Sequence, residues 1–237
     1  MIFRQLFDPE SSSYTYLLAC PHTRAALLID PVLEAVDRDL AALQALGLEL
    51  AWTVDTHIHA DHVTGADRLR SLTGCRAAAP PGVAGACRTV SELEPLEAGC
   101  VTVRALFTPG HTEEHHSYLI EGGGVARVFT GDLLLIDGCG RTDFQGGDPA
   151  ALYRSVHEKI FTLPDETIVC PGHDYRGRET STVGAERAGN CRLGGGRTVE
   201  QFAAIMAGLD LPRPKKIDVA VPANRRCGRD PGTASRG

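Results

Sequence analysis

The sequence lacks the features that would mark a membrane, secreted or nucleic-acid-binding protein. No apolar run approaches the roughly 18 residues expected of a transmembrane helix. The first residues, MIFRQLFDPE, hold no basic segment followed by an apolar one and so do not read as a secretory signal. The net charge of −6 is spread without long blocks, which argues against a nucleic-acid partner. We expect a soluble, intracellular protein that contacts neither nucleic acid nor membrane.

Paired cysteines are missing as well. The eight cysteines are scattered and form no CxxC motif, which argues against a disulfide framework and against a zinc-finger type of site. Most of them are expected to be buried as small apolar side chains. Cys139 and Cys227 each lie beside a glycine in a polar loop, but we expect neither to be catalytic.

What the chain does contain is enough apolar material for one large core. Of its 237 residues, 43% are hydrophobic, which predicts a single domain over 1–228 with a C-terminal helical extension. The final stretch, RDPGTASRG at 229–237, is polar and rich in glycine and is predicted to be a disordered tail.

Short apolar runs alternate with amphipathic segments, which is typical of an α/β fold. The predicted strands are 15–20 and 25–30, which form a hairpin, and 50–56, 101–110, 125–132 and 166–174. The predicted helices are 33–47, 65–74, 148–162 and 198–209. Gly47 is expected to end the first helix, Asp148 and Pro149 to begin the third, and Thr198 with Gln201 to form a capping box.

Four of these strands end on residues that can bind a metal ion. In chain order they are His57, His111, Asp132 and His173. Layered α/β folds build their sites at strand ends, where loops carry reactive groups on a rigid frame. We therefore expect these side chains to contribute to one site.

The densest cluster of such residues is the stretch THIHADH. It places His57, His59, Asp61 and His62 within six positions. Several such groups are costly to bury together unless a partner compensates them. A metal cation is that partner, and histidine and carboxylate side chains are suitable ligands for it.

The HxHxDH motif, followed by His111, Asp132 and His173, resembles the metallo-β-lactamase superfamily. That resemblance covers nearly the whole chain and implies an α/β fold, an αββα sandwich with its metal site at one edge. The motif alone does not fix a reaction. More specific stretches, GCGRTDFQ, PGHDY with its downstream STV, and VPANRRCG, are similar to the persulfide dioxygenases of that superfamily.

The resemblance implies oxidation of glutathione persulfide by O2 and water, giving sulfite and glutathione, in sulfide detoxification. It also implies one non-haem Fe(II) per chain, held by His57, His111 and Asp132. A metal ion held by two histidines and a carboxylate has coordination positions left over, where substrate and oxygen can bind. The resemblance assigns hydrogen bonding and orientation of the ligands, or a residual second metal site, to a further set: His59, Asp61, His62 and His173.

The glutathione moiety is expected to meet cationic and hydroxyl donors. By the resemblance these are Tyr175 and Arg192. Arg141 also lies in the predicted substrate region, although a bracing salt bridge with Asp143 is the favoured interpretation. Thr130 is expected to hydrogen-bond beside Asp132.

The chain departs from the family pattern at two places. GHTEEHHSY has Glu114, His115 and His116 where the family usually has a Gly-Cys pair, and we expect a solvent-facing turn there. The alternative is that these residues alter the pocket wall. In NCRLGGG, Cys191 replaces a proline, so the sequence does not settle where Arg192 lies. Because Arg192 is an expected partner of glutathione, the preferred persulfide substrate stays open as well.

Two other functions stay open. A glyoxalase II-like thioester hydrolase would use two zinc ions, and a sulfur-handling partner protein would not be an enzyme. VPANRRCG argues against the first and the intact ligand set against the second. A homodimer and a separate sulfurtransferase partner are possible. High alanine, glycine and arginine content with few lysines favours a bacterial cytoplasm over an organelle.

Overall fold

The computed structural model describes residues 1–92, 94–121 and 124–229. Within these ranges the strands are β1 (Ile2–Asp8), β2 (Ser13–Ala19), β3 (Ala25–Ile29), β4 (Glu49–Val54), β5 (Arg76–Ala79), β6 (Arg88–Thr89), β7 (Leu96–Ala98), β8 (Val101–Phe107), β9 (His116–Ile120), β10 (Arg127–Gly131), β11 (Ile168–Pro171) and β12 (Ser181–Thr182). The α-helices are α1 (Val36–Ala45), α2 (Ala66–Thr73), α3 (Pro149–Ser155), α4 (Val183–Gly189), α5 (Val199–Ala207) and α6 (Ile217–Asn224). A 3₁₀ turn (Leu33–Ala35) precedes α1, and a π-helical turn (Val156–Ile160) extends α3.

The chain divides into two compact units. Within the described ranges, the first unit comprises 1–90, 97–101 and 213–229, and the second comprises the described residues of 91–96 and 102–212. The prediction of a single domain over 1–228 therefore stays a prediction. So does the disordered tail, of which 230–237 lie outside the described residues.

The first unit is built on a mixed sheet in the order β1-β2-β3-β4-β5-β6. β1, β2 and β3 pair antiparallel, whereas β3, β4, β5 and β6 pair parallel. α1 packs against the sheet through Val36 and Leu43, in a core that also includes Leu17, Leu28 and Leu69. Parallel strands send their carboxyl ends to one edge, so the segments after β3 and β4 lie side by side.

The second unit is built on a second mixed sheet, in the order β12-β11-β10-β9-β8-β7. β10 pairs parallel with β11 and antiparallel with β9, and β9 pairs antiparallel with β8. Consequently β8, β10 and β11 all end at the same edge. Its core is formed by residues that include Leu133, Leu152, Val156 and Phe202.

Most predicted elements are confirmed. β2 and β3 form the predicted hairpin, and Gly47 follows α1 with a left-handed φ of +59°. The Asp148 carboxylate accepts hydrogen bonds from the N–H groups of Ala150 and Ala151 at 2.7 and 3.1 Å. Thr198 and Gln201 form the predicted capping box at α5.

No helix in the described part of the chain has the length and apolar character needed to cross a bilayer.

Candidate metal centre

The first group of candidate ligands lies in the first unit, after β3 and β4. Asp30 follows β3 with a left-handed φ of +50°, and its carboxylate accepts hydrogen bonds from the Thr56 N–H (2.7 Å) and hydroxyl (2.9 Å). Because the Thr56 hydroxyl donates to Asp30, its oxygen accepts from His57 Nδ1 at 2.9 Å. This chain of hydrogen bonds leaves Nε2 as the nitrogen with which His57 can bind a metal ion.

His59, Asp61 and His62 form a compact set in the same loop. His59 Nε2 donates to Asp30 at 3.1 Å, and His62 Nδ1 donates to Asp61 at 2.8 Å. The rings of His59 and His62 lie 4.3 Å apart, and each of the three residues offers a ligand atom within 4.8 Å of the other two. The other ring nitrogens, His59 Nδ1 and His62 Nε2, are buried without a hydrogen-bond partner in the described ranges.

Two buried carboxyl groups, Asp30 and Asp55, and the half-buried Asp61 lie near His59 and favour its protonated form. Burial by itself lowers the pKa of His59, but the nearby Asp30 carboxylate, with Asp61 and Asp55, raises it to about 9. Burial raises the pKa of Asp55 to about 7, although the Thr64 hydroxyl donates to that carboxylate at 2.8 Å. Both shifts arise because the loop holds carboxyl groups and an imidazole close together out of water, and a metal cation bound there would favour the charged form of the carboxylates.

Asn224, which sequence reasoning missed, braces this loop from α6. Its side-chain amide donates to the carbonyls of His59 (2.9 Å) and His62 (2.8 Å), and its Oδ1 accepts from the Thr64 N–H (2.9 Å). Gly228 packs so closely on Thr64 that an added Cβ would collide with the Thr64 carbonyl, and its φ is +86°. Asn224 and Gly228 both belong to the VPANRRCG stretch, and these contacts give that stretch a physical role, the support of the loop that carries the candidate ligands.

The second group lies in the second unit, where β8, β10 and β11 end. His111 Nδ1 donates to the Arg141 carbonyl at 2.8 Å, which again leaves Nε2 as the acceptor nitrogen. Gly110 precedes His111 with a φ of +141°, and any Cβ there would collide with the Leu152 backbone. The β8 turn and α3 together therefore fix the orientation of this ring.

Asp132 joins His111 and His173 in the second unit. His173 Nδ1 donates to Asp132 Oδ1 at 2.6 Å, while Oδ2 lies 3.6 Å from His111 Nε2. The Thr130 hydroxyl donates to the Leu134 carbonyl at 2.6 Å, and a hydrogen bond from Thr130 to a candidate ligand stays a prediction. Gly172 leaves room for Asp132, since a Cβ there would lie 2.7 Å from Oδ1.

The predicted substrate residues also lie in the second unit. Tyr175 is 74% exposed and its ring stacks on that of His173 at 5.9 Å. Arg192 donates from Nη1 to the Cys139 carbonyl at 2.8 Å. The turn before it is held by Cys191, whose N–H and thiol donate to Asp137 at 3.0 Å each. Hydrogen bonds thus hold the turn at the position where the family has a proline.

Arg141 makes the bracing contacts that the sequence favours. Its guanidinium pairs with both carboxylate oxygens of Asp143, at 2.6 and 2.7 Å, and donates to the Pro212 carbonyl at 2.7 Å. Its own carbonyl accepts from His111. Contact between Arg141 and substrate stays a prediction.

The expectation of a solvent-facing turn in GHTEEHHSY is wrong. Glu114, His115 and His116 are all buried, and Glu114 is absent from the residues with positive φ. His115 Nδ1 lies 3.0 Å from the Thr108 hydroxyl, and His116 Nδ1 donates to the Glu114 carbonyl at 2.8 Å. The backbone holds His115 in this position, because the Thr108 N–H donates to the His115 carbonyl at 2.9 Å.

Cys139 and Cys227 are poor nucleophiles, in agreement with the sequence. Both are buried, and burial raises the pKa of Cys139 to about 11 and that of Cys227 to about 12. A thiol reacts as the thiolate, so both groups are inert near neutral pH.

The described residues fit a metal ion. The buried ring nitrogens of His59 and His62 are costly unless they bind a ligand, and His111 with Asp132 presents a nitrogen and an oxygen toward each other. Imidazole and carboxylate ligands suit both zinc and iron, so these residues do not select the metal. That His57 joins His111 and Asp132 on one ion stays a prediction.

Comparison with known proteins gives consistent matches over almost the full chain. The profile of the Metallo-beta-lactamase superfamily matches residues 8–173. A human protein, persulfide dioxygenase ETHE1, mitochondrial, is 46% identical over 236 residues, which cover 99% of this chain and 91% of the human one. The crystal structure of ETHE1 from Myxococcus xanthus gives a TM-score of 0.92 at 50% identity, covering 97% of this chain and all of that one. A hydroxyacylglutathione hydrolase from a Polaromonas species is 36% identical over 168 residues, which cover 69% of this chain and 62% of that protein.

Proposed function

The chain belongs to the metallo-β-lactamase superfamily and, within it, to the persulfide dioxygenases, and on that premise we propose that it oxidises glutathione persulfide. One persulfide, one O2 and one water give one glutathione, one sulfite and two protons, so the terminal sulfur is oxidised and both oxygen atoms of O2 are reduced. Similarity to persulfide dioxygenases across 99% of the chain, including the C-terminal VPANRRCG stretch, carries the proposal.

His57, His111 and Asp132 are the proposed ligands of one Fe(II) ion per chain. The hydrogen bonds of His57 to Thr56 and of His111 to the Arg141 carbonyl support this role, because each leaves Nε2 to bind a metal ion. Two histidines and a carboxylate are the ligand set of many non-haem Fe(II) oxygenases. When bound, the iron would supply the redox chemistry that couples oxidation of the persulfide sulfur to reduction of O2.

His59, Asp61, His62 and His173 are proposed to orient ligands and bound water rather than to hold a second ion. Two contacts support this role. His173 donates to the carboxylate of Asp132 at 2.6 Å, and His59 donates at 3.1 Å to Asp30, the residue that positions Thr56 and through it His57. Such partners fix the geometry of metal ligands and raise their basicity.

Glutathione carries two carboxylates, and Arg192 and Tyr175 are their proposed partners. Arg141 is proposed to brace the site beside them. Tyr175 is exposed, and stacking on His173 restrains its ring. The Arg192 guanidinium is anchored through Nη1 to the Cys139 carbonyl, which limits its freedom. Restraint of this kind lowers the entropy lost when a carboxylate binds.

The second candidate is a zinc-dependent thioester hydrolase of the glyoxalase II type. The observation that favours it is the set of His59, Asp61 and His62, which would suit a second metal ion.

One experiment distinguishes the two functions. The same preparation is loaded with either Fe(II) or Zn(II), and each form is given glutathione persulfide and a glutathione thioester. The proposal expects persulfide turnover by the iron form and negligible thioester hydrolysis by either. Fast thioester hydrolysis by the zinc form, without persulfide turnover by the iron form, would establish the hydrolase instead.

The proposal also covers the setting in which the protein works. The abundance of arginine over lysine and the similarity to the Myxococcus protein support a bacterial cytoplasm, whereas the human relative is described as mitochondrial. Persulfide would come from a separate sulfurtransferase, and the chain would act as a homodimer. Cell fractionation, a coupled assay with a sulfurtransferase and light scattering test these three points.

A further inference from the structure

Two cysteines far apart in sequence meet inside the first unit. Cys20 follows β2, and Cys100 lies in the turn between β7 and β8. Their Sγ atoms are 2.6 Å apart, and the Cys100 thiol donates a hydrogen bond to Cys20. Both are free thiols, 80 positions apart in the chain. An S–S bond is about 2.05 Å long, so little movement separates this pair from a disulfide.

The surrounding backbone holds the pair together. The Cys20 N–H donates to the Ala25 carbonyl at 2.9 Å, and the Cys20 carbonyl accepts from the Arg24 N–H at 3.0 Å. Gly99 has a φ of +60°, and a Cβ added there would lie 2.8 Å from the Cys20 Cβ and would collide with Thr23. The absence of a side chain at Gly99 lets the turn that carries Cys100 lie directly against Cys20.

The two thiols have different exposure and acidity. Cys20 has no exposed surface, whereas Cys100 is exposed. Hydrogen bonds donated by the Cys100 thiol, and next by Thr23, lower the pKa of Cys20 to about 5. The same bond to Cys20 raises the pKa of Cys100, because its proton is held there. Cys20 is therefore the thiolate of the pair, and Cys100 is the sulfur that a molecule from solvent can reach.

We propose that Cys20 and Cys100 form a thiol–disulfide exchange site for low-molecular-weight disulfides such as glutathione disulfide. The Cys100 sulfur attacks one sulfur of the disulfide and forms a mixed disulfide, while its proton passes to the glutathione thiolate that leaves. The Cys20 thiolate then attacks the Cys100 sulfur, the Cys20–Cys100 bond closes, and the second glutathione leaves as a thiolate and takes a proton from water. Two protein thiols are oxidised and one external disulfide is reduced to two thiols.

The site is separate from the candidate metal ligands. β2 places Cys20 after Ala19, which is opposite Ala26, whereas Tyr16 is opposite Ile29 at the other end of β3, next to Asp30. The exchange reaction therefore needs neither metal nor persulfide. It can be tested on the metal-free protein, independently of the proposed function.

The test uses the Cys87→Ser/Cys191→Ser variant, because Cys87 and Cys191 are the other exposed thiols in the described ranges. Six cysteines then remain of the eight. The reduced, metal-free protein is incubated with glutathione disulfide, denatured, alkylated and analysed by intact mass and peptide mapping. We expect the loss of two thiols, no added glutathionyl mass, and a peptide that links positions 20 and 100. Six alkylated thiols, or a stable glutathionyl group on Cys100, would overturn the proposal.

Two further variants in that background test the order of attack. Cys20→Ser should stop the reaction at a glutathionyl group on Cys100, since no second thiol resolves it. Cys100→Ser should leave Cys20 unmodified, because Cys20 is not exposed. A glutathionyl group on Cys20 in the Cys100→Ser variant, or none on Cys100 in the Cys20→Ser variant, would contradict the proposed roles. The peptide map of the unaltered pair decides the question if either variant fails to fold.

Discussion

Single hydrogen bonds decide which ring nitrogen each candidate ligand presents. Thr56 accepts from His57 Nδ1, the Arg141 carbonyl accepts from His111 Nδ1, and Asp132 accepts from His173 Nδ1. In His57 and His111, Nε2 is then the nitrogen that can bind a metal ion. Asp132 keeps one oxygen for that role, because His173 occupies the other.

Replacing Asp132 by alanine should abolish both iron binding and persulfide turnover. The change removes the only carboxylate of the proposed ligand set, and two histidines alone hold Fe(II) weakly. Iron per chain after loading and desalting, and turnover of glutathione persulfide, are the measurements. Asp165→Asn is the matched control, because Asp165 is an exposed acid paired with Arg187. Full iron content in the alanine variant would refute the assignment of Asp132.

Replacing Arg192 by alanine should raise KM for glutathione persulfide by on the order of tenfold, with kcat little changed. A charge-assisted hydrogen bond to a carboxylate contributes about 1.5 to 3 kcal/mol, and a distant carboxylate is bound equally in ground and transition states. Steady-state kinetics measure both constants, with Arg154→Ala, an exposed arginine of α3, as the control. An unchanged KM would show that Arg192 does not bind the substrate.

Residue type and spacing predicted the candidate ligands, but not the residues that hold them. His57, His59, His111 and Asp132 stand out because metal sites use these residue types. Asp30 and Asn224 are common residue types, and their contacts with the ligand loop depend on folding. The burial of Glu114 could not be predicted either, since a charged residue in a polar run gives no local sign of being buried.

At the scale of elements, α6 shows where sequence patterns are insufficient. Its eight residues contain Pro222, which removes a backbone donor from the helix and usually argues against one. The helix is anchored by Asn224, whose side chain bonds to a loop about 160 residues earlier in the chain. Local patterns predicted α1 and α5 with their caps, whereas α6 depends on long-range contacts.

Replacing Asn224 by alanine should weaken metal affinity by roughly 10- to 100-fold, the usual effect of losing a residue that orients metal ligands. The variant leaves the carbonyls of His59 and His62 without their donor, so the loop loses its support. Competition with a chelator measures the affinity. Asp218→Asn, on the same helix and paired with Arg213 at the surface, is the control. Equal affinity in Asn224→Ala and the control would refute the bracing role.

Replacing Asp39 in α1 by asparagine should flatten the dependence of stability on pH. Burial, opposed by Arg38, raises the pKa of Asp39 from 3.8 to about 6, so its ionisation in the folded state is unfavourable. Since the folded pKa is the higher one, the contribution of Asp39 to stability is greatest below pH 4 and falls as pH rises from about 4 to about 6, by about 3 kcal/mol in all.

Urea unfolding of the metal-free protein at pH 4.5 and pH 7 measures this difference. The variant should lose less stability than the unaltered protein over that range. The control is Asp37→Asn, an exposed residue of the same helix. If Asp39→Asn and the control show the same pH dependence, burial of the Asp39 charge has no net cost.

For the molecule as a whole, family similarity confirms the α/β fold of the metallo-β-lactamase type, with two mixed sheets and helices. The sequence predicted the strands that end on candidate ligands, because apolar runs stop abruptly at polar turns. It did not predict the short strands β6, β7 and β12, which have two or three residues each and form only where a neighbouring strand pairs with them. Long-range pairing of this kind leaves no local pattern.

The most direct test of the dioxygenase assignment is oxygen consumption by the iron-loaded protein given glutathione persulfide, with sulfite measured in the same samples. The account predicts one sulfite for each O2 consumed, and no consumption by the Asp132→Ala variant. Persulfide that disappears without oxygen uptake, or oxygen uptake without sulfite, would contradict it.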